Sequence, residues 1–405
     1  MAGQGRMTMD FLSTSAVNAD LMFSAMVQQQ SQLDEMSNRA LTNGIDLYTN
    51  KRYKEAAKEF QRAVGLAPQG QYAADASNYM AQAFLKLEKT EKAIDAFEQS
   101  IRLNPYRDDI HVSLGNLYYS LDRFNDAEDQ YKEAVRKNPS AVNHYSLGQA
   151  YLELGKYSQA EKEFNIVKRM APEKANGDYG IGLSYSRQER YEDAIKHFEQ
   201  AIRKDRDLYD AYAEIGFAYA DMGEIEKAQE QVDFLEKKSP GLVDTLSKYI
   251  YKVDPPKFSL VYSTDFFTKR SMNTPLSSFD AYLTNPNTSK TFTMKFAFDK
   301  EMDRESVENL VNWSIDRSTG RGPGEMYNFG LPIADTEIMP PRYPDHVFYD
   351  DKSMTAVVTF TLSQNEAANG TIDPSHIEFT FTGKDAFGHK MSPTGDQFRG
   401  FNGVA

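Results

Sequence analysis

The sequence predicts a multidomain α + β chain: an α-solenoid of about six helix pairs followed by an antiparallel β-sandwich. Three observations predict it. Alanines recur at 56, 93, 127, 160, 194 and 228, at intervals close to 34 residues. From residue 257 the apolar period changes from 3.6 to 2. At 405 residues with 40% hydrophobic and 12% aromatic content, the chain is long enough and apolar enough for two or three packed domains.

Residues 1–36 precede the repeats. On a helical wheel of residues 11–36, Phe11, Leu12, Ala16, Ala19, Met22, Phe23, Met26, Val27 and Leu33 share one half. Ser13, Thr14, Asn18, Ser24, Gln28, Gln29, Ser31 and Gln32 share the other, with Val17 and Leu21 out of place. This is an amphipathic helix of about 40 Å. Asp10, Asn18 and Asp20 interrupt the apolar run, so neither a membrane span nor a conventional secretory signal is expected. Its polar half carries no Lys or Arg and is unlike helices that lie on anionic lipid. Three roles stay open: a cap on the first repeat, an assembly helix for a neighbouring copy, or an export segment. Leu12, Ala19, Phe23, Met26, Val27 and Leu33 are the candidate assembly residues.

Residues 37–254 are the solenoid. "NGIDLYTNKRYKEAAKEFQRAVGLAP" (43–68), "LGNLYYSLDRFNDAEDQYKEAVRKNP" (114–139) and "LGQAYLELGKYSQAEKEFNIVKRMAP" (147–172) share one pattern. Small residues at 44, 81, 115, 148, 182 and 216 let paired helices cross closely. Phe60, Phe97, Tyr131, Phe164 and Phe198 anchor each second helix, and prolines at 68, 105, 139, 172 and 240 stop it. This closely resembles tetratricopeptide repeats, in six copies at roughly 37–70, 74–107, 108–140, 141–174, 175–208 and 209–242. Arg206 departs from the pattern where proline is expected, as does Val232 where an aromatic is. "GLVDTLSKYIYKVD" (241–254) reads as a capping helix that covers the last apolar face.

Residues 257–405 read as strands. "KTFTMKFAF", "TAVVTFTL" and "IEFTFTG" alternate apolar and polar residues, with "FSLVYSTDF" (258–266) and "FDAYLT" (279–284) as weaker candidates. "FAFDKEMDRESVENLVNWSI" (296–315) with the downstream "FTFTGKDAFGHKM" resembles the bacterial immunoglobulin-like domain of surface-layer and adhesin-type proteins. Met302, Asp303, Ser306, Val307, Asn312, Gly383 and Gly388 carry that resemblance, with Asp303 as the N-cap of a short helical turn. Residues 317–346 depart from it and read as a long insertion or an extended loop.

Little in the chain points to catalysis. The net charge of −13 argues against a nucleic-acid partner. The absence of cysteine removes disulfides, thiolate catalysis and thiolate metal sites. None of the six histidines has metal-like spacing; His111 and His144 occupy equivalent repeat positions and are expected inside the solenoid. "STGRGPG" lacks the Lys-Ser/Thr of a phosphate loop. Asp345, Asp350 and Asp351 offer the hard oxygens calcium takes, but an acidic turn is the simpler reading. No catalytic residue, metal or cofactor is assigned.

The tetratricopeptide resemblance implies a concave surface lined by first-helix positions, here Asn78, Gln82, Asn116, Tyr119, Tyr145, Gln149, Tyr179, Leu183 and Phe217. Amides and aromatic rings suit a peptide. The expected function is therefore non-enzymatic: a protein-binding, self-assembling structural subunit of a bacterial surface or appendage-associated assembly. The alternative is a soluble adaptor that binds a peptide or helix, with the sandwich as spacer. Partners are expected to be protein, with no nucleic acid and no membrane span. The compartment is open, with a bacterial surface or appendage reached by a non-Sec route favoured over the cytoplasm.

Overall fold

A computed structural model describes residues 10–322, 324–401 and 403–404, with side chains described for 21–322 and 324–401. The chain divides into two compact units, Met1–Ala218 and Tyr219–Ala405. The first unit is helical. It opens with α1 (Asp10–Thr49) and α2 (Tyr53–Leu66), then α3 (Ala73–Lys86) and α4 (Thr90–Leu103). The pairs α5 (Asp108–Ser120) with α6 (Phe124–Lys137) and α7 (Ala141–Glu153) with α8 (Tyr157–Met170) follow. Next come α9 (Asn176–Ser186) and α10 (Tyr191–Lys204), and α11 (Tyr209–Asp221) runs across the division.

Small residues on each first helix admit the aromatic of the second. A Cβ added at Gly44 would lie 2.5 Å from the Phe60 ring; at Gly115, Gly148 and Gly182 it would lie 2.6 Å from Tyr131, Phe164 and Phe198. Phe60, Phe164 and Phe198 are fully buried. Each such ring contributes roughly 1.5–3 kcal/mol by leaving water. Tyr118, Tyr151 and Tyr185 each meet a cation five residues on, with Arg123 4.4 Å, Lys156 5.9 Å and Arg190 4.1 Å from the ring centres. His111 and His144 bond the second helix of their own repeat, Nδ1 meeting Gln130 at 2.9 Å and Glu163 at 2.5 Å.

The N-terminal amphipathic stretch is not a separate helix. It runs unbroken into the first helix of the first repeat, all within α1. From Ser37, whose hydroxyl donates to the Ala63 carbonyl at 2.8 Å, α1 packs against α2. Upstream, Phe23, Met26 and Val27 are 70, 66 and 56% exposed, and Leu33 is half-buried. Leu12 and Ala19 lie outside the residues whose side chains are described.

Among the described residues the second unit holds α12 (Ile225–Leu235), α13 (Pro240–Val253) and ten strands. Pro240 does not stop a helix as expected. It opens α13 at the first turn, where a missing N–H costs nothing. The strands are β1 (Phe258–Tyr262), β2 (Thr274–Pro275), β3 (Ser289–Phe298), β4 (Trp313–Arg317) and β5 (His346–Asp350). They continue with β6 (Thr355–Ser363), β7 (Thr371–Ile372), β8 (Ile377–Phe381), β9 (Gln397–Arg399) and β10 (Gly403–Val404). Two antiparallel four-stranded sheets form, in the orders β1-β3-β6-β5 and β10-β9-β8-β4, with β2 and β7 as a separate pair.

The alternation read in the sequence sets the register. Phe292, Met294 and Phe296 of β3 face Phe360, Val358 and Ala356 of β6, Phe298 faces Phe258 of β1, and all are buried. Both sheets contribute to one core, where Phe296 and Phe360 lie 5.6 and 5.5 Å from Phe379. "FDAYLT" is not a strand: Asp280 caps a 3-10 turn (Ala281–Thr284) by accepting from the Tyr282 N–H at 2.8 Å. β5 begins at the end of the presumed insertion and pairs with β6.

Asp303 does cap the short helix Arg304–Glu308, accepting from the Ser306 N–H at 3.1 Å. Ser306 Oγ in turn accepts from the Lys384 N–H at 3.0 Å, and Met302 bridges to Asp385, so both halves of the motif meet. The three candidate calcium aspartates have other partners. Asp345 accepts from Thr361 and Asp350 from Ser353, while Asp351 pairs with Arg304. Among the described residues no group of three or more His, Cys, Asp or Glu is placed to hold a metal.

Candidate partner-binding groove

The 34-residue period places equivalent side chains of successive first helices side by side. Tyr145 on α7 and Tyr179 on α9 are half-buried, each resting on the aromatic of the paired helix, 5.5 Å from Phe164 and 5.7 Å from Phe198. Their outer edges line a cavity of about 510 Å³, completed by Glu173, Lys174, Asn176, Lys204, Asp205 and Asp210 among others. Burial pushes both phenols above their ordinary range, with Asp210 adding to it at Tyr145 and Glu214 and Asp210 at Tyr179.

A second row lies at one repeat position. Tyr119 donates to Glu153 at 3.3 Å, and Arg187 lies 3.8 Å from the same carboxylate. Burial, with Glu153 beside it, pushes the Tyr119 phenol to about 12. Glu214 on α11 belongs to this electrostatic neighbourhood. Burial raises its carboxyl to about 7 against the pull of Arg187, and Asp210 one turn away adds to the rise.

The remaining expected residues are more dispersed. Asn116 accepts from the Tyr131 hydroxyl at 2.7 Å and so serves its own repeat. Leu183 packs against the helical core. Asn78, Gln82, Gln149 and Phe217 are half-buried on their first helices, and the Asn78 amide oxygen is buried without a hydrogen-bond partner among the described residues. None of these lines the cavity beside Tyr145 and Tyr179.

Sequence reasoning missed the charged members: Glu153, Arg187, Asp210 and Glu214. The signal for two of them was present, because Tyr119, Glu153 and Arg187 follow one another at the repeat period. It missed the buried anchor too. Asp178 is fully buried between Lys168 and Lys204, each 2.6 Å away. Burial pushes its carboxyl up, but hydrogen bonds from Lys168 and Lys204 outweigh that and hold it below its ordinary value.

One cluster in the second unit resembles a nucleophilic triad in composition only. Ser375 Oγ and Asp373 Oδ2 both meet Nδ1 of His376, at 3.0 and 2.7 Å, while Nε2 meets the Gly324 carbonyl at 2.7 Å. A triad needs the serine and the carboxylate on opposite ring nitrogens. Phe329 and Phe401 pack on the ring, 4.6 and 5.1 Å away, and His376 is fully buried. The cluster ties the 324–329 segment to residues 373–376.

Family comparison agrees with the helical geometry. A tetratricopeptide-repeat model matches residues 41–108, 112–175 and 145–213, and a second one matches 186–241. The matched residues, 41–108 and 112–241, are tetratricopeptide repeats. Among curated proteins no match is found. Among solved structures, a tetratricopeptide repeat protein from Parabacteroides merdae is 16% identical with a TM-score of 0.50, over 53% of this chain and 86% of that one. PilF of Pseudomonas aeruginosa is 14% identical with a TM-score of 0.42, over 54% of this chain and 99% of its own. PilW, a type IV pilus biogenesis factor, is 16% identical with a TM-score of 0.44, over 52% and 98%. At such identities the likeness speaks to the fold alone.

Proposed function

We propose that this chain is a non-enzymatic structural and protein-binding subunit that assembles with further copies of itself, in a bacterial surface or appendage-associated assembly reached by a non-Sec route. The observation that carries self-assembly is the apolar stripe of α1. Phe23, Met26 and Val27 are more than half exposed on a helix whose downstream part is anchored by packing. An exposed apolar stripe on an anchored helix is a docking surface. Residues 10–36 carry Asp10, Asp20, Asp34 and Glu35 and no Lys or Arg, so the stripe suits an apolar surface of a second copy better than an acid-lined cavity.

The surface-type immunoglobulin-like assignment of the β region has support in the strand order. With β1, β3, β4, β5, β6, β8 and β9 as strands A to G, the first sheet reads A-B-E-D and the second G-F-C with β10 added beside G, the constant-type immunoglobulin order plus one edge strand. Trp313 opens strand C and lies 5.0 Å from Phe296 and 4.5 Å from Phe381, where an antibody domain has a disulfide against its tryptophan.

Light scattering with negative-stain electron microscopy, on the full chain and on Phe23→Glu/Met26→Glu, tests the proposal. Large particles from the wild type and folded monomers from the variant are the expected result. Monomers from both sink it and leave the adaptor reading, in which the groove around Tyr119, Tyr145 and Tyr179 captures another protein's peptide or helix.

A further inference from the structure

We infer that the cavity between Tyr145 and Tyr179 takes a lysine or arginine side chain of a partner peptide segment; this rests on the reading of the first-helix face as a peptide groove. The two rings wall the cavity and Asp210 lies at its edge. Aromatic faces attract a cation and also pack on the methylene stem that carries it.

The charge ledger favours a cation. Lys204 already has the buried carboxylate of Asp178 at 2.6 Å. Arg187 lies near Glu153. Glu173 and Lys174 both line the cavity, are exposed and contribute one charge of each sign. Asp205 accepts from the Asp207 N–H at 3.1 Å. Asp210 and Glu214, one helical turn apart on α11, make no hydrogen bond or ion pair among the described residues. Asp210 and Glu214 repel each other one turn apart on one helix face, Arg187 offsets only part of this at Glu214, and a further cation relieves more of it. An anionic or purely apolar side chain would leave that repulsion in place, and an anionic one would add to it.

The groups facing the site also set its pH response. They are Tyr145 from α7, Glu173 and Lys174 ahead of α9, Tyr179 from α9, Lys204 and Asp205 at the end of α10, and Asp210 from α11, with Arg187 at the C-terminal cap of α9 acting on Glu214. With its carboxyl raised to about 7, Glu214 is largely neutral at pH 6 and largely charged at pH 8. A cationic side chain is therefore held more tightly at pH 8.

The test uses the full chain and a phage-displayed library of random peptides, followed by fluorescence anisotropy of the selected sequences. Selected peptides are expected to share one Lys or Arg position. Replacing that residue by norleucine should weaken binding about tenfold. Asp210→Asn/Glu214→Gln should weaken the parent peptide by a similar factor and leave the norleucine peptide unaffected. Binding of the parent should be several-fold tighter at pH 8 than at pH 6. Peptides that Tyr179→Ala weakens but that show no basic position, or whose affinity survives the double carboxylate variant, overturn the cation inference and spare the groove. If the selected peptides are indifferent to Tyr145→Ala and Tyr179→Ala, or no peptide is selected, the groove reading falls and this inference with it.

Discussion

The helical and β regions bury their aromatic rings by opposite strategies. In the repeats each ring meets a small residue a few turns earlier in the chain, as Phe60 meets Gly44 and Phe164 meets Gly148. In the β region the partners are remote, as Phe296 on β3 meets Phe379 on β8 at 5.6 Å. A local scheme makes a quasi-one-dimensional stack in which damage stays within a repeat and its neighbours. A non-local scheme makes one core that forms or fails together, and loop closure must precede its contacts.

The contrast breaks most visibly in the β core. Trp313 is the sole tryptophan, caged by Phe258, Phe296 and Phe381, so its fluorescence reports unfolding of this region alone. Phe296→Ala should destabilise that transition by about 3–5 kcal/mol in urea while the helical circular-dichroism transition barely moves. A coincident shift of both signals would show that the regions unfold as one.

Asp178→Asn should lower the helical transition by about 2–3 kcal/mol at pH 7, since Lys168 and Lys204 then lack their buried counter-charge. The folded carboxyl lies below its unfolded value, so its stabilisation is present above the unfolded pKa and lost as pH falls through the folded one. Wild type and variant should therefore converge in acid; an undiminished gap at pH 2 would refute the electrostatic account.

Gly148→Ala places a methyl against the Phe164 ring and should cost about 1–3 kcal/mol, with thermal melting as the readout. The control is Gly155→Ala, where nothing crowds the new Cβ but φ is +68°. Its cost of about 1 kcal/mol is conformational rather than steric. Equal costs would mean that close helix crossing contributes nothing special.

One further effect should carry the opposite sign. Glu214 has a folded pKa raised to about 7, so stability declines as pH rises from its unfolded value through that point. Glu214→Gln should gain about 1–2 kcal/mol at pH 8 and nothing at pH 4. A loss at pH 8 would mean that the charged carboxylate is well satisfied without a ligand.

Legibility follows the same division. The repeat, its small residues and its anchoring rings were readable because each recurs at a fixed offset and packs locally. β3, β6 and β8 were readable from alternation. β9 and β10 were not, because two or three residues carry no period. "FDAYLT" misled because Asp280 offers the backbone a local turn, and Pro240 misled because proline ends one helix and begins another with equal ease. In the groove the tyrosines were legible as repeat positions; Asp210 and Glu214 were not, because acids on a helix carry no signal of what packs beside them.

By itself, then, the sequence determined the repeat architecture, the change of period at residue 257 and the amphipathic start, since these follow from local spacing and burial. Tertiary structure alone decided that the amphipathic stretch continues into the first repeat as one helix. It also decided that Asp178 sits between two lysines, and that carboxylates from α11 stand beside tyrosine rings from α7 and α9. Those are relations between residues far apart in the chain, where a side chain's chemistry depends on the desolvation and charge its distant neighbours impose.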